Sequence, residues 1–300
     1  MAERLADIVT QIQNVRQLEA VVTAMRGIAA SRAQKGRSLL AGIEAYTDVV
    51  SRAIGQALNL LPKDMIALPP HRRARLGLIL FCAEQGFAGA FSEHVLDSAS
   101  GDLGGALNLI VGTRGAIVAR ERGIKLAWSA PMATHVGAIP SFANQLADAL
   151  YGYVVTGAIA KADILFSRSV SGSGIVIDRH SLLPIDFPRF AQPIDKQAPL
   201  TTLAPQALLE RLAAEYIYAQ LCEAAMHAFE AENEARMMAM ASAKTNIETK
   251  LGTLLRRERQ LRQEEITTEI VELAAGAEAS QSSHPVRIVD GSGREQRTIE

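Results

Sequence analysis

Proline is missing from residues 1–61 and again from residues 206–284. Proline breaks helix interiors, so each segment is free to run as one helix. At 1.5 Å per residue, either would reach roughly 90 to 110 Å, whereas an ordinary helix has about 11 to 12 residues. Cysteine is scarce: Cys82 and Cys222 are the two present. Disulfides therefore do not frame this fold, which fits a reducing compartment. An excess of one charge is also lacking, with 31 Lys and Arg against 32 Asp and Glu, so bulk nucleic-acid binding is not expected. No run of 18 apolar residues occurs, which argues against a membrane-spanning helix. The N-terminal Met1-Ala2-Glu3-Arg4-Leu5-Ala6-Asp7 lacks the charged-then-apolar pattern of a signal peptide.

The motifs of pocket enzymes are missing too. Neither a phosphate loop ending in Gly-Lys-Ser/Thr nor a G-x-G-x-x-G fingerprint is present, and there is no G-x-S-x-G elbow. The six histidines, His71, His94, His135, His180, His227 and His284, include no i, i+4 pair, and no cysteines stand at metal spacing. His94 beside Glu93 and Asp97 reads as a solvated helix face. No zinc site is implied.

What is present is periodicity. Ile8, Val15, Val22 and Ala29 stand seven apart, with Leu5 and Ile12 at the companion position and an expected drift to Leu18 and Met25. A seven-residue stripe is the mark of a left-handed coiled coil, and a drift marks a change in supercoil. The small residues Gly27, Ala29, Ala30 and Ser31 permit close helix approach. Met240, Ile247, Leu254 and Leu261 form a second seven-residue stripe, joined by Met237 and Leu251. Gly252 costs that helix about 1 kcal/mol relative to alanine. The two segments are expected to pair antiparallel.

Between them the period changes. The short apolar runs 75–83, 107–112 and 163–167 read as buried parallel strands, and 174–178 with 181–184 reads as an edge strand leaving the domain. Helical patterns such as 139–155 alternate with them, giving an α/β layering. The turn Glu84-Gln85-Gly86-Phe87-Ala88-Gly89-Ala90-Phe91 follows a strand. Its glycines read as a tight turn rather than a phosphate cradle. Pro188, Pro193 and Pro199 make 184–205 an extended connector. The expected fold class is therefore α/β: a long antiparallel coiled coil of N- and C-terminal helices with a central Rossmann-like α/β domain. The expected parts are an N-terminal helix (1–61), the central domain with connector (62–204), a C-terminal helix (205–279) and a flexible polar tail (280–300).

Charge along the C-terminal helix is divided. Residues 256–262 carry four arginines and one glutamate, whereas 264–278 hold five glutamates and no basic residue. Such runs are commonly solvated faces. Local sign reversal also suits an interface with several partners.

Longer motifs point to a family. Glu232-Asn233-Glu234-Ala235-Arg236-Met237-Met238-Ala239-Met240, with Ala243 and Asn246 beyond it, resembles a block of the γ subunits of F-type ATP synthases, E-x-x-A-R-M-x-A-M-x-x-A-x-x-N. Arg262-Gln263-Glu264-Glu265-Ile266-Thr267-Thr268-Glu269-Ile270-Val271-Glu272 resembles the family's R-Q-x-x-I-T-x-E. Thr23-Ala24-Met25-Arg26-Gly27-Ile28-Ala29-Ala30-Ser31-Arg32 is similar to K-A-M-x-x-[VI]-A-A-S-[KR], and Gly86–Phe91 to G-L-x-G-x-[FL]. The likeness covers residues 3–279 in order.

The resemblance implies a central rotor shaft standing inside a hexamer of α and β subunits, its α/β domain near the ε subunit and the membrane c-ring. Ion flow would turn the ring and the shaft, and ATP chemistry would lie in the β subunits. Arg262, Gln263, Thr267 and Glu269 would contact β loops, with Met25 and Arg236 facing the same coupling region. The implied place is the cytoplasmic face of a bacterial inner membrane, as a peripheral subunit without a transmembrane segment of its own. Two departures imply a divergent member: one basic residue, Arg16, in 16–23 where common members have several, and Glu258-Arg259 in place of Tyr-Asn. Two other classes fit the periodicity alone. An enzyme on the α/β domain with a helical dimerisation arm would bind a small ligand, and a coiled-coil scaffold would self-associate.

Overall fold

The computed structural model describes residues 5–61, 75–170, 172–190 and 200–282. The C-terminal tail beyond Ser282 and residues 191–199 of the proline-rich connector lie outside these. The elements run α1 (Leu5–Leu58), β1 (Arg75–Phe81), α2 (Phe91–Ser98), β2 (Leu107–Val111), α3 (Thr113–Glu121), β3 (Leu126–Ala130), α4 (Ile139–Val155), β4 (Ile159–Val170), β5 (Gly174–Leu183) and α5 (Pro205–Ser282). The proline-free segments thus each form one helix, of 54 and 78 residues. The described chain divides into two compact units, one within residues 21–244 and one combining 1–20 with 245–300.

The larger unit is built on a five-stranded sheet in the order β3-β2-β1-β4-β5. Its first four strands are parallel, and β5 pairs antiparallel with β4. Side chains alternate across a strand. Ile79, Phe81, Leu109, Val111, Ile164 and Phe166 therefore face one way, into a core with α4 (Phe142, Leu146, Leu150) and α5 (Ile217, Leu221, Phe229). Leu78, Leu80, Ile110 and Leu165 face the other way, against Val95 and Leu96 of α2 and Ala116 and Ala119 of α3. Both faces are covered, which is why β1 and β2 read as unbroken apolar runs. The edge strand expected at 174–178 is one ten-residue strand through Leu183. β3, at the opposite edge, gave no sequence signal. It is five residues long and mostly half-buried, so neither alternation nor an apolar run marks it.

α5 passes through this unit with almost no exposed side. From Tyr216 to Asn233 every residue is buried except the half-buried Tyr218, Gln220 and Glu223. The span is enclosed although it carries the polar Glu223, His227, Glu230, Glu232 and Asn233. α1 lies against it antiparallel: Val50 and Ile54 meet Tyr216 and Leu212, while an added Cβ at Gly36 would stand 3.3 Å from the Glu230 Cβ. In the smaller unit Ile8 and Ile12 pack with Leu251, Leu254 and Leu261.

Along α1 the inward residues step by four and three without a break. They run Ile8, Ile12, Val15, Glu19, Val22, Arg26, Ala29, Ala33, Gly36, Leu40, Ile43, Thr47, Val50, Ile54 and Ala57, all buried or half-buried. The expected drift to Leu18 does not occur, since that residue is 51% exposed. The register holds because Glu19 and Arg26 take up core-facing steps that an apolar count skips. Close approach is made by Ala29, Ala33 and Gly36, whereas Gly27 faces open space.

Candidate coupling surface

The residues singled out by the motifs fall into two environments. In the larger unit, Arg236 is 6% exposed and wholly engaged within the chain. Its Nε donates to the Gly86 carbonyl at 3.1 Å, one terminal nitrogen to the Gln85 carbonyl at 3.2 Å and to Glu232 Oε1 at 2.5 Å, and the other to Asn233 Oδ1 at 3.2 Å. Glu232, four residues earlier on the same helical face, completes the clamp. It accepts the backbone N–H groups of Glu84 and Gln85 at 3.1 and 3.2 Å. One buried ion pair therefore fixes both polarities of the turn after β1.

The far side of that turn is fixed by Glu84. Its carboxylate accepts from the Thr113 N–H and hydroxyl, both at 2.9 Å, and from the Met132 N–H at 2.8 Å. It thus sits at the N-terminus of α3, where the partial positive charge of a helix favours an anion. The carboxyl ends of parallel strands are the usual ligand crevice of open α/β sheets. Here that crevice holds the chain's own Glu84, Glu232 and Arg236. Its backbone is close-packed as well: an added Cβ at Gly115 would lie 2.0 Å from the Cys82 Cβ, and Gly112, at φ 104°, lies against the Cys82 and Ala83 carbonyls. Burial pushes the Cys82 thiol up to about 12, so it is held as an inert thiol.

Clamped at its base, the turn projects Phe87, 68% exposed, at φ 63°. A non-glycine residue there is uncommon, and the fixed ends on both sides hold it. Gly89 also needs positive φ, in keeping with a tight turn. Met25 is half-buried on α1, just off the inward line.

In the smaller unit the other four residues stand in solvent. Arg262, Gln263, Thr267 and Glu269 are all exposed, as is every residue from 262 to 278. Arg262 reaches back to Glu258 Oε1 at 2.6 Å, and the Thr267 hydroxyl donates to the Gln263 carbonyl at 2.8 Å. Ile266, Ile270, Val271 and Leu273 are 50 to 75% exposed on the same stretch. Four large apolar side chains on solvated helix form an exposed apolar patch, a feature commonly found at interaction surfaces. Among the described residues, no group of His, Cys, Asp or Glu is placed to hold a metal ion, and no helix is long and apolar enough to cross a membrane.

The motifs point to Arg236 but not to its partner Glu232, nor to Glu84, which fixes the same turn through Thr113 and Met132. The i, i+4 spacing of Glu232 and Arg236 was visible. What Glu84 binds depends on α3 and β3, which are distant in sequence.

Comparison with known proteins places the chain in a family. The family model described as ATP synthase matches residues 4–279. A curated relative, the ATP synthase gamma chain of Clavibacter michiganensis subsp. michiganensis, is 28% identical over 304 residues, covering 94% of this chain and all of that one. The gamma chain of Moorella thermoacetica is 26% identical, covering 92% and 98%. The fold is shared with a chain in the cryo-EM structure of the Euglena gracilis mitochondrial ATP synthase (OSCP, F1 and c-ring). That pair has a TM-score of 0.65 and 12% identity, covering 95% of this chain and 98% of that one. A chain of the Tetrahymena thermophila mitochondrial ATP synthase central stalk and c-ring gives a TM-score of 0.51 at 15% identity, over 74% of this chain and 99% of its own. The residues that carry the clamp and the exposed contact stretch thus lie inside a match that runs almost end to end, and the chain belongs to the ATP synthase family, among its gamma chains.

Proposed function

We propose that this chain is the central rotor shaft of an F-type ATP synthase. It couples ion-driven rotation of a membrane ring to ATP synthesis or hydrolysis in the β subunits of an α/β hexamer. The observation that carries the reading is the charge-divided stretch 256–278 of α5, exposed at every residue from 262 onward, in a chain whose α/β crevice is filled by its own side chains. A gamma chain is a non-catalytic subunit, and the chemistry belongs to its partners. The chain itself contributes no catalytic residue and holds no cofactor. Residues 1–61 and 205–279 form the shaft, 62–204 the foot near the ε subunit and the c-ring, and 280–300 a tail. The chain sits peripherally at the cytoplasmic face of a bacterial inner membrane, and the ring selects H⁺ or Na⁺.

The mechanism needs only differential contact. A shaft whose faces differ presents each β subunit with a different surface at each angle, and biases its conformational equilibrium accordingly. Arg262 supplies a cation and Glu269 an anion about two helical turns apart. Gln263 and Thr267 offer neutral hydrogen-bonding groups between them. Met25 adds an apolar contact from α1. Arg236 acts indirectly, through the loop that carries Phe87.

Reconstitution with the α and β partners tests this. Sustained ATP hydrolysis should require the chain, and charge reversal at Arg262 or Glu269 should weaken it. Turnover indifferent to the chain would overturn the rotor reading.

A further inference from the structure

A polar groove runs through the larger unit between α1, α5 and the β4–β5 hairpin, remote in sequence from the contact stretch of α5. Its volume is about 1130 Å³, and Glu44, Arg168, Asp178, Glu223, His227 and Glu230 are among its lining residues. A second cavity of about 710 Å³ adjoins it, sharing Glu44, His180 and Glu223 and adding Asp48 and Asp186. Together they form a trench rather than a pocket for one small ion.

The cations of the first cavity are already matched. Arg37 pairs with Glu230 at 2.6 Å and Glu234 at 3.1 Å, and Arg168 with Asp178 at 2.6 Å. Arg189, in the second, stands over the Phe190 ring. Glu44, Asp48 and Asp186 have no ion-pair partner among the described residues, and Glu223 has only the neutral Thr47 and Gln220, at 3.1 and 3.2 Å. The trench is therefore acidic in net effect.

A second observation concerns the wall of the trench. His227 forms part of the wall and is 7% exposed, stacked on Phe166 at 5.6 Å. Its Nδ1 is buried with no hydrogen-bond partner among the described residues. A buried polar atom without a partner calls for one. Burial drives this imidazole well below its ordinary range, to about 4. The ring is thus neutral at pH 7, and a neutral ring has one accepting nitrogen.

We infer that this trench docks an extended, arginine- or lysine-bearing segment of a partner polypeptide, its cationic side chains seated against Glu44 and Glu223. Length favours a chain segment over a free ion, and uncompensated acceptors favour a donor that carries charge. The proposal stands apart from the rotor reading, since it concerns neither the contact stretch nor turnover.

The test uses the full chain and a fluorescein-labelled Arg-Gly repeat peptide, followed by anisotropy at physiological salt. The double variant Glu44→Gln/Glu223→Gln should weaken binding by at least about tenfold. A Glu264→Gln/Glu265→Gln control, in the acidic stretch of α5, should leave it within about twofold. Citrulline in place of arginine should abolish it. Helical circular dichroism confirms that the variants fold, and Glu44→Gln alone, at an exposed position, keeps the test valid should the double variant not. Equal binding by wild type and the Glu44 and Glu223 variants, or undiminished binding of the citrulline peptide, would overturn the proposal.

Discussion

Helix α5 carries two Arg–Glu pairs of the same spacing and nearly the same length, and they do different things. Glu232–Arg236 is separated by 2.5 Å with both side chains 7% exposed or less; Glu258–Arg262 is separated by 2.6 Å with its arginine 60% exposed. The first is surrounded by protein, so each charge depends on the other and on the turn it grips. The second has its arginine in water and its Glu258 19% exposed, so the pair contributes little and the guanidinium keeps an open side. Two pairs on one helix thus differ as an enclosed clamp and a solvated pair, and burial makes the distinction.

The sharpest way to break that comparison is to truncate both arginines. Arg236→Ala strands the buried Glu232 carboxylate with two backbone donors, and should cost about 3 kcal/mol of stability, read as a lowered midpoint in urea unfolding of the isolated chain. The exposed Phe87 turn should lose amide-exchange protection with it. Arg262→Ala, by contrast, should shift stability by less than about 1 kcal/mol while weakening turnover in the reconstituted complex. Equal stability losses at the two positions would contradict the division.

Within the buried stretch, His227 should make stability respond to acid. Burial disfavours its charged form and holds the imidazole at about 4, against an ordinary 6.5. A depressed histidine means the unfolded chain takes up the proton first. Its contribution is therefore neutral to stability above pH 6.5, and stability falls as pH drops from 6.5 toward 4, by about 3 kcal/mol in full. Urea midpoints across that range should show this loss, and His227→Phe should remove it, while Glu269→Gln should leave the slope in place.

Two helix glycines sharpen the contrast at smaller scale. Gly36, on the inward line of α1, meets Glu230 and Phe229, with nearest contacts of 3.3 and 3.4 Å for an added Cβ, whereas Gly252 has nothing within 4 Å. Gly36→Ala should be destabilising by about 1 kcal/mol. Gly252→Ala should stabilise by about 0.5 to 1 kcal/mol, visible as a small rise in thermal midpoint.

Much of this was legible in the chain. The two proline-free segments are two helices, and the stripe Met240, Ile247 and Leu254 is buried as its spacing implied. The apolar runs are the central strands. β3 was not legible, because an edge strand half-covered by protein needs neither an apolar run nor strict alternation. The unbroken register of α1 was hidden for the same kind of reason: Glu19 and Arg26 occupy core-facing steps, and a count of apolar residues drops them. Of the motif residues, Arg262, Gln263, Thr267 and Glu269 are exposed on α5, and their spacing alone showed that they share one short stretch. Arg236 faces the chain's own Gln85 and Gly86 carbonyls, a partner set that no local pattern announces.

What the sequence by itself determined are properties that depend on neighbours along the chain. Helix length follows from the lack of proline, seam placement from the seven-residue repeat, and charge division from the order of arginines and glutamates after residue 255. Only the tertiary structure decided which of two identical ion pairs is load-free in water and which is locked in the core. It also placed the chain's own carboxylates in the α/β crevice, and left His227 in the wall of an acidic trench without a partner for Nδ1 among the described residues. Those outcomes rest on dielectric and contact, which are set by residues that are far away in sequence and brought close only by the fold.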